Sequence, residues 1–249
     1  MEKETGNKDK ADLIHCITNP IAMNQSANAV LALGASPIMA EHPKEVREIT
    51  HTASALLINL GNITDTRMEA MRISIDEANR CDIPVVIDAV GVACSKLRRE
   101  FIGELLAGNR SRVIKGNHSE IMALSDHSYG SRGVDADKSL SEVDVEAAAR
   151  RLSSKYEAIV VATGKTDLVV SGDEVIKVKG GCEQLSSVTG TGCMLGAVIA
   201  TFLAKEDSVD SVAKACRFFK DCGLWAKTYK GGGTFMANLI DAIGVRHGA

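Results

Sequence analysis

The chain has 249 residues, of which 45% are hydrophobic and 24% are charged, so it can bury a core of ordinary globular size. Aromatic residues make up only 4% and the net charge is −3, which argues against a nucleic-acid partner bound through basic and stacking side chains. Residues 1–10 are mostly polar and are expected to form a flexible N-terminus instead of a signal peptide. No apolar run approaches the roughly 18 residues of a transmembrane helix, so no membrane association is expected.

The seven cysteines are too scattered to suggest a disulfide framework or a zinc site. Their number is odd, and no two of them form a CxxC pair. Reduced thiols in a cytoplasmic protein are the simpler interpretation.

Short apolar runs alternate with longer helical patterns along the first two thirds of the chain. The predicted strands are Leu13–Cys16, Ala55–Asn59, Pro84–Asp88, Val113–Lys115 and Ala158–Ala162. The predicted helices are Asn24–Leu33, Lys44–Thr52, Thr64–Arg80, Arg98–Ala107, His118–Ser125 and Ser141–Ser154. This alternation predicts a single α/β domain with a mostly parallel central sheet and helices on both faces.

The last third changes character. The pair Gly172-Asp173 predicts a hairpin between strands Asp167–Ser171 and Glu174–Lys179. After Thr189 the pattern is helical, with predicted helices at Gly192–Ala204, Ser208–Tyr229 and Thr234–Ile243. The polar loop Asp126–Ser139 is predicted to be mobile.

The clearest chemical signal is the stretch Thr189-Gly190-Thr191-Gly192-Cys193 before an apolar helix. Two glycines allow backbone N–H groups to converge, and a helix start adds partial positive charge, which together favour an anion. The same field is expected to favour a thiolate at Cys193. A plain turn with a buried packing cysteine is the alternative that these residues leave open.

A second group comprises Asp88, Lys115 and Glu120. Asp88 ends a predicted strand, where the carboxyl edge of a parallel sheet can hold a metal–phosphate complex. Lys115 ends the next strand, and Glu120 follows Asn117 at the spacing of a capping box. Glu120 is therefore either a cap or a metal-organising carboxylate.

The amides near Asn19 and the apolar side chain of Met39 are suited to a small heterocycle, although a loop and a core residue would look the same.

Taken together, these stretches resemble the hydroxyethylthiazole kinases, a family with a ribokinase-like fold. The resemblance runs from about Leu13 to Ile243. Its segments are Ile17–Asn19, Ala27-Asn28, Leu31–Ala40, Asn59–Gly61, Val86–Gly91, Lys115–Asn117 with Glu120, Val188–Cys193 and Gly231–Phe235.

The resemblance implies a three-layer α/β/α sandwich without a separate lid domain, and ATP-dependent, Mg²⁺-requiring phosphorylation of 4-methyl-5-(2-hydroxyethyl)thiazole. It places substrate contacts at Asn19, Met39 and Gly190, and nucleotide contacts at Lys115 and Thr163. It gives the metal and phosphates to Asp88 and Glu120, and the anion cradle to Thr189, Gly190, Thr191 and Gly192. Cys193 takes the catalytic position, and the family implies a homotrimer.

Three residues depart from the family pattern. Lys115 replaces an arginine and so offers a point charge in place of a planar fork. Ala89 and Gly232 each replace a proline in a turn. A hydroxymethylpyrimidine or pyridoxal kinase, an ATP-dependent NAD(P)H-hydrate dehydratase and a non-catalytic thiazole or nucleotide sensor are the alternatives to be tested.

Overall fold

The computed structural model describes residues 11–126, 129 and 141–247. Its strands are β1 (Leu13–Ile17), β2 (Ser36–Ile38), β3 (Ala55–Asn59), β4 (Val85–Asp88), β5 (Val113–Asn117), β6 (Ile159–Thr163), β7 (Asp167–Ser171) and β8 (Glu174–Val178). Its helices are α1 (Met23–Ala32), α2 (Val46–His51), α3 (Asp65–Arg80), α4 (Lys96–Ala107), α5 (His118–Ser125), α6 (Glu142–Tyr156), α7 (Gln184–Ser187), α8 (Thr191–Lys205), α9 (Val209–Ala226) and α10 (Gly232–His247). The predicted flexible N-terminus, residues 1–10, lies outside the described residues. The predicted mobile loop Asp126–Ser139 also lies outside them, apart from Asp126 and Tyr129.

The strands form one sheet in the order β2-β1-β3-β4-β5-β6-β7-β8. Pairing is parallel from β2 to β6 and antiparallel for β7 and β8, which confirms the mostly parallel sheet and the hairpin. The chain leaves β1 toward one side to form β2 and returns on the other side as β3. Such a reversal of strand order opens a crevice at the carboxyl ends of the strands, where ligands bind in open α/β sheets.

Strand β3 shows why the sheet is covered on both faces. All five of its residues are buried. Ala55 and Leu57 join the core beneath α1, α8, α9 and α10, whereas Leu56 and Ile58 join the core beneath α2 to α6. Because side chains alternate along a strand, a continuous apolar run can only be accommodated between two helical layers. The three-layer α/β/α arrangement is therefore confirmed.

Helix α8 runs across the middle of this arrangement. It is apolar on nearly all sides, and most of its residues are buried against β1, β3 and β4. Helices α3, α4, α6 and α9 begin with a Ser or Thr side chain that accepts a backbone N–H bond. The N-cap residue of α8 is instead Gly190, which has no side chain to accept such a bond. Its first N–H groups are consequently left for another acceptor.

The predicted strands agree with the observed ones to within two residues, but β2 and α7 were not predicted. Strand β2 has only three residues and contains Pro37. A proline is tolerated there because β2 lies at the sheet edge. Helix α9 ends at Ala226, before the predicted Tyr229. No helix in the described ranges combines the length and apolar character that crossing a membrane requires.

One helix end stores backbone strain that can be measured. Glu157 ends α6 in the left-handed conformation, with φ 50° and ψ 38°, which side chains disfavour. We expect Glu157→Gly to stabilise the protein by about 0.5–1 kcal/mol, raising Tm by a few degrees in a thermal melt. Lys155→Gly, in the last turn of the same helix, is the matched control and should destabilise by about 1 kcal/mol. Equal effects of the two substitutions would contradict this assignment.

Candidate active site

The carboxyl ends of four neighbouring strands bring buried polar side chains together. Asn19 follows β1, Asn59 and Asp88 end β3 and β4, and Lys115 lies in β5. The ladder sets Asn59 opposite Asp88 and Asp88 opposite Lys115. All four side chains belong to residues that are at most 4% exposed. The site thus lies at the strand reversal between β1 and β3 and extends toward β5.

These side chains form a continuous polar relay, which we define as Lys115, Asp88, Asn59, Asn19 and Cys193. Lys115 Nζ donates to Asp88 Oδ1 at 3.0 Å, and Asn59 Nδ2 donates to Asp88 Oδ2 at 2.9 Å. Asn19 Nδ2 donates to Asn59 Oδ1 at 2.9 Å and to Cys193 Sγ at 3.2 Å. The relay links the cation of β5 to the thiol of α8.

Asn59 is the member of the relay to which no role was assigned from the sequence. It is fully buried and satisfies Asp88 with its amide N–H, while its carbonyl oxygen also accepts the Gly61 N–H at 2.8 Å. A Cβ at Gly61 would lie 2.7 Å from Asn19 Nδ2 and 2.8 Å from Asn59 Oδ1. The stretch Asn59-Leu60-Gly61 therefore supplies the central amide, and a glycine at position 61 lets the two amide side chains approach the backbone closely.

Glu120 lies in the first turn of α5, where it takes part in the cap of that helix. The capping box with Asn117 is present. One carboxylate oxygen accepts the Asn117 N–H at 2.7 Å, and the other accepts the Gly91 N–H at 2.8 Å. Burial and the charge of Asp88 raise the pKa of Glu120 to about 7. The carboxylate is thus a cap that also lies in the electrostatic field of the relay.

The charges at this end of the site do not balance. Burial raises the pKa of Asp88 despite Lys115 and Asn59, which favour its ionised form. Burial alone would lower the pKa of Lys115, but Asp88, Cys193 and Glu120 together raise it. One ammonium faces two buried acids, and a divalent cation would relieve that excess. Carboxylate oxygens with unused lone pairs are ligands that Mg²⁺ prefers, so Asp88 and Glu120 fit this ion.

The start of α8 leaves backbone N–H groups outside the helix ladder. Gly190 has φ 90°, and the first helical hydrogen bond runs from Met194 N–H to Gly190 O at 2.9 Å. The N–H groups of Thr191, Gly192 and Cys193 therefore precede the helix ladder and have no partner within it. The Thr191 hydroxyl donates to Leu185 O, which fixes the turn. These amides, with the helix dipole, favour an oxyanion.

Cys193 differs from its prediction in one respect. The expected stabilisation of its thiolate by the helix start is wrong, because burial and the nearby Asp88 charge raise the pKa of Cys193. Lys115 and Asn19 act in the opposite direction but do not reverse the shift. At neutral pH the side chain is therefore a thiol, and it accepts the hydrogen bond from Asn19.

The remaining predicted residues lie around the relay. Met39 directly follows β2, is half-buried and packs on the core beneath α8. Thr163 ends β6, opposite Asn117 in the ladder, and its hydroxyl donates to Gly116 O at 3.3 Å. The Asn19 amide is already in use, since its nitrogen donates to two relay members and its oxygen accepts the Ala22 N–H. Its carbonyl oxygen retains one lone pair for a ligand.

Another group of potential metal ligands lies away from this edge. His51 Nδ1 and Cys81 Sγ approach Glu77 Oε1 at 3.0 and 3.4 Å. The carboxylate also accepts from Arg47 and Arg80, and the hydrogen bonds of Arg80 contribute most to lowering the pKa of Glu77 to about 2. Two guanidinium groups already neutralise this acid, so the cluster is an ion-pair network and not a metal centre.

The fold and the edge chemistry define a class before any family is considered. A three-layer α/β/α sandwich with a mostly parallel sheet and buried polar side chains at its strand reversal is a ribokinase-like fold. A ribokinase-like superfamily protein from Enterococcus faecalis has the same fold, with a TM-score of 0.70 at 15% identity, covering 98% of this chain and 90% of that one.

Sequence comparison then identifies the family. A model described as the hydroxyethylthiazole kinase family matches residues 6–246. Hydroxyethylthiazole kinase 2 of Clostridium botulinum (strain Langeland) is 42% identical over 248 residues, covering 98% of this chain and 94% of that protein. The structure of a hydroxyethylthiazole kinase protein from Pyrococcus horikoshii has a TM-score of 0.82 at 33% identity, covering 94% and 88% of the two chains. The chain belongs to the hydroxyethylthiazole kinase family.

The raised pKa of Glu120 predicts how stability depends on pH. Between the unfolded pKa of about 4.3 and the folded pKa of about 7, the folded protein retains a proton that the unfolded chain has lost. This contribution to stability is therefore complete at low pH and is lost as pH rises through 7. In metal-free buffer, Glu120→Gln should flatten the fall of Tm between about pH 5 and 7.5.

The substitution has a second, separate effect. Both oxygens of Glu120 accept backbone N–H bonds, but a glutamine has only one amide oxygen, so its N–H₂ group would face the Gly91 or the Asn117 N–H. Because one hydrogen bond is lost, the variant should be less stable than the wild type at pH 5. Glu157→Gln, at an exposed position, is the control and should keep the wild-type pH profile. A parallel pH profile for Glu120→Gln would contradict the raised pKa.

Proposed function

We propose that this protein transfers the terminal phosphoryl group of ATP to the hydroxyl of 4-methyl-5-(2-hydroxyethyl)thiazole in thiamine biosynthesis or salvage, giving the phosphate ester and ADP. Membership of the hydroxyethylthiazole kinase family supports the substrate. The observation that carries the chemistry is the amide cradle of α8, joined through Cys193 and Asn19 to the buried acids and cation at the sheet edge.

The thiazole is assigned to the β1 side of this edge. Asn19, Met39 and Gly190 would contact it. Met39 directly follows β2, and a Cβ placed on Gly190 would lie 3.5 Å from the Cβ of Ala22, whose N–H donates to Asn19. Exposed Ile21 precedes Ala22 and offers apolar surface next to Gly190. This arrangement combines an apolar wall with one remaining amide lone pair, which suits a small heterocycle with a single ring nitrogen.

The nucleotide is assigned to the β5–β6 side. Lys115 and Thr163 would contact it, because both lie at the carboxyl ends of adjacent strands. Lys115 is only 3% exposed and already donates to Asp88. Its ammonium would therefore attract the phosphates from a buried position at the end of β5. An ammonium has three donors, and this ion pair uses one of them.

Asp88 and Glu120 would hold Mg²⁺, which fits their unused oxygen lone pairs and the excess of buried acid. When bound, the ion neutralises phosphate charge during transfer. The chain's own task is positioning. The N–H groups of Thr191, Gly192 and Cys193 would bind the oxygens of the transferring group, and the apolar body of α8 excludes water beneath them.

Cys193 is the residue that we assign to the acceptor hydroxyl. Cys193 can accept the substrate proton only as a thiolate, because a thiol is already protonated. The raised pKa of Cys193 makes the thiolate scarce at neutral pH. A loose transition state demands little of a base, so a scarce thiolate can suffice. Asn19 holds the sulfur in place by its hydrogen bond.

The substrate is tested by coupling ADP release to a spectrophotometric assay with hydroxyethylthiazole, hydroxymethylpyrimidine, pyridoxal and hydrated NADH as separate substrates. We expect kcat/KM for the thiazole to exceed the others by about tenfold or more. A preference for hydroxymethylpyrimidine or pyridoxal would reassign the substrate. ATP hydrolysis that accompanies NADH repair would indicate the dehydratase, and binding without ADP release would indicate a sensor.

The role of Cys193 is tested by its pH dependence. Wild-type kcat should rise from about pH 7 to 9, following the thiolate, whereas Cys193→Asp should be flat over that range because a carboxylate is already ionised. Cys193→Ala should lose kcat by about 10²-fold or more with little change in either KM. Cys94→Ala, at an exposed cysteine, is the matched control. Full activity of Cys193→Ala at every pH would refute the assignment.

We propose a homotrimer from the family resemblance, and a cytoplasmic location from the odd number and scattered positions of the cysteines. Sedimentation of the purified protein tests the first.

A further inference from the structure

A second buried ion pair lies two strands beyond Lys115 in the sheet and has no part in the chemistry described so far. Lys220, in the middle of α9, is 6% exposed, and Asp167, at the start of β7, is 3% exposed. Lys220 Nζ lies 3.1 Å from Asp167 Oδ1. Burying both charges is costly, and replacing a buried ion pair by well-packed apolar side chains is often neutral or stabilising. The pair therefore calls for an explanation other than stability.

The pair holds the turn of residues 164–166 that joins β6 to β7. Lys220 Nζ donates to Gly164 O at 3.0 Å and to Lys165 O at 3.3 Å. Asp167 Oδ1 accepts the Gly164 N–H at 2.9 Å. Both backbone carbonyls and the N–H at the head of the turn are thus satisfied by two side chains, one of which comes from a helix 53 positions later.

The turn is also closed from the side of α5. A Cβ at Gly164 would lie 2.6 Å from His118 Nε2 and 2.7 Å from the neighbouring ring carbon, so only glycine fits. His118 follows Asn117, which pairs with Thr163 in the ladder. The turn is therefore pressed against the same edge at which Thr163 and Glu120 lie.

We propose that Lys220 is a positioning residue for the nucleotide: through Gly164 and Lys165 it fixes the turn after Thr163, and with it the wall of the nucleotide end of the site. Its own charge is neutralised by Asp167 and its donors are directed at the two carbonyls, so it acts through the backbone and not as a phosphate ligand. This inference rests on the proposed function, because it takes the β5–β6 side to be where ATP binds.

The test uses a variant in which no buried charge is left alone. Lys220→Met by itself would leave the buried Asp167 carboxylate without its ion-pair partner and would destabilise the fold. The double variant Asp167→Asn/Lys220→Met keeps an acceptor for the Gly164 N–H but removes both charges and the donor to the two carbonyls. Lys214→Met is the matched control, since Lys214 lies on the same helix with a 61% exposed side chain.

The measurements are ATP affinity by calorimetry and steady-state kinetics for both substrates, well below the Tm of each variant. The double variant should raise the Kd and KM for ATP by about fivefold or more, with the thiazole KM within about twofold and Lys214→Met unchanged. An unchanged ATP Kd in the folded double variant, or an equal rise in both KM values, would overturn the positioning role.

The proposed function can fail separately. If the wild type binds ATP but does not phosphorylate the thiazole, the substrate assignment is overturned, and the ATP Kd of the double variant still decides the role of Lys220. If the wild type does not bind ATP at all, both are overturned.

Discussion

The contact between Lys115 Nζ and Asp88 Oδ1, 3.0 Å long and nearly closed to water, is the interaction on which the rest of the site depends. A carboxylate buried at a strand end has to be compensated, and one ammonium does so only in part, since the pKa of Asp88 stays raised by burial. Asn59 supplies the second donor, and Asn19 then orients Asn59. The order of polar side chains from β5 back to β1 follows from the need to satisfy one acid.

The sheet side and the helix side of the site carry their charges on different chemical groups. On the sheet side, side chains carry the charges, and strand ends held by ladder hydrogen bonds keep them in place. On the helix side, backbone amides carry the positive potential, and glycine at the start of α8 keeps them open. Cys193 joins the two sides, because its sulfur accepts the hydrogen bond from Asn19 while its backbone N–H lies at the start of α8. A displacement of α8 relative to the sheet would carry both the amides and the thiol away from Asn19 and the buried acids.

Patterns within one element were readable from the sequence, and interactions between elements were not. The apolar runs of β3 and β4 and the Asn117–Glu120 spacing predicted strands and a capping box, because both depend on neighbouring residues. The raised pKa of Cys193 depends on burial and on Asp88, which is 105 positions away, and no local pattern reports either. Lys220 looked like one lysine among many in α9, since only the folded chain places it against Gly164 and Lys165. The resemblance to a family was the sole source of the role given to Thr163, and it favoured a substrate contact over a core position for Met39.

The hydrogen bond between Asn19 and Cys193 joins residues 174 positions apart. A chain emerging from the ribosome folds from its N-terminal side, so strands β1 to β6 are synthesised while α8 is still missing. At that stage the acids and the lysine of the edge have been synthesised, but the amides proposed to bind the transferring group have not. On the proposed function, the nascent protein would become able to stabilise phosphoryl transfer, to the substrate or to water, only after α8 has been synthesised and has docked on the sheet. The order of the elements along the chain would thus delay activity until the end of synthesis.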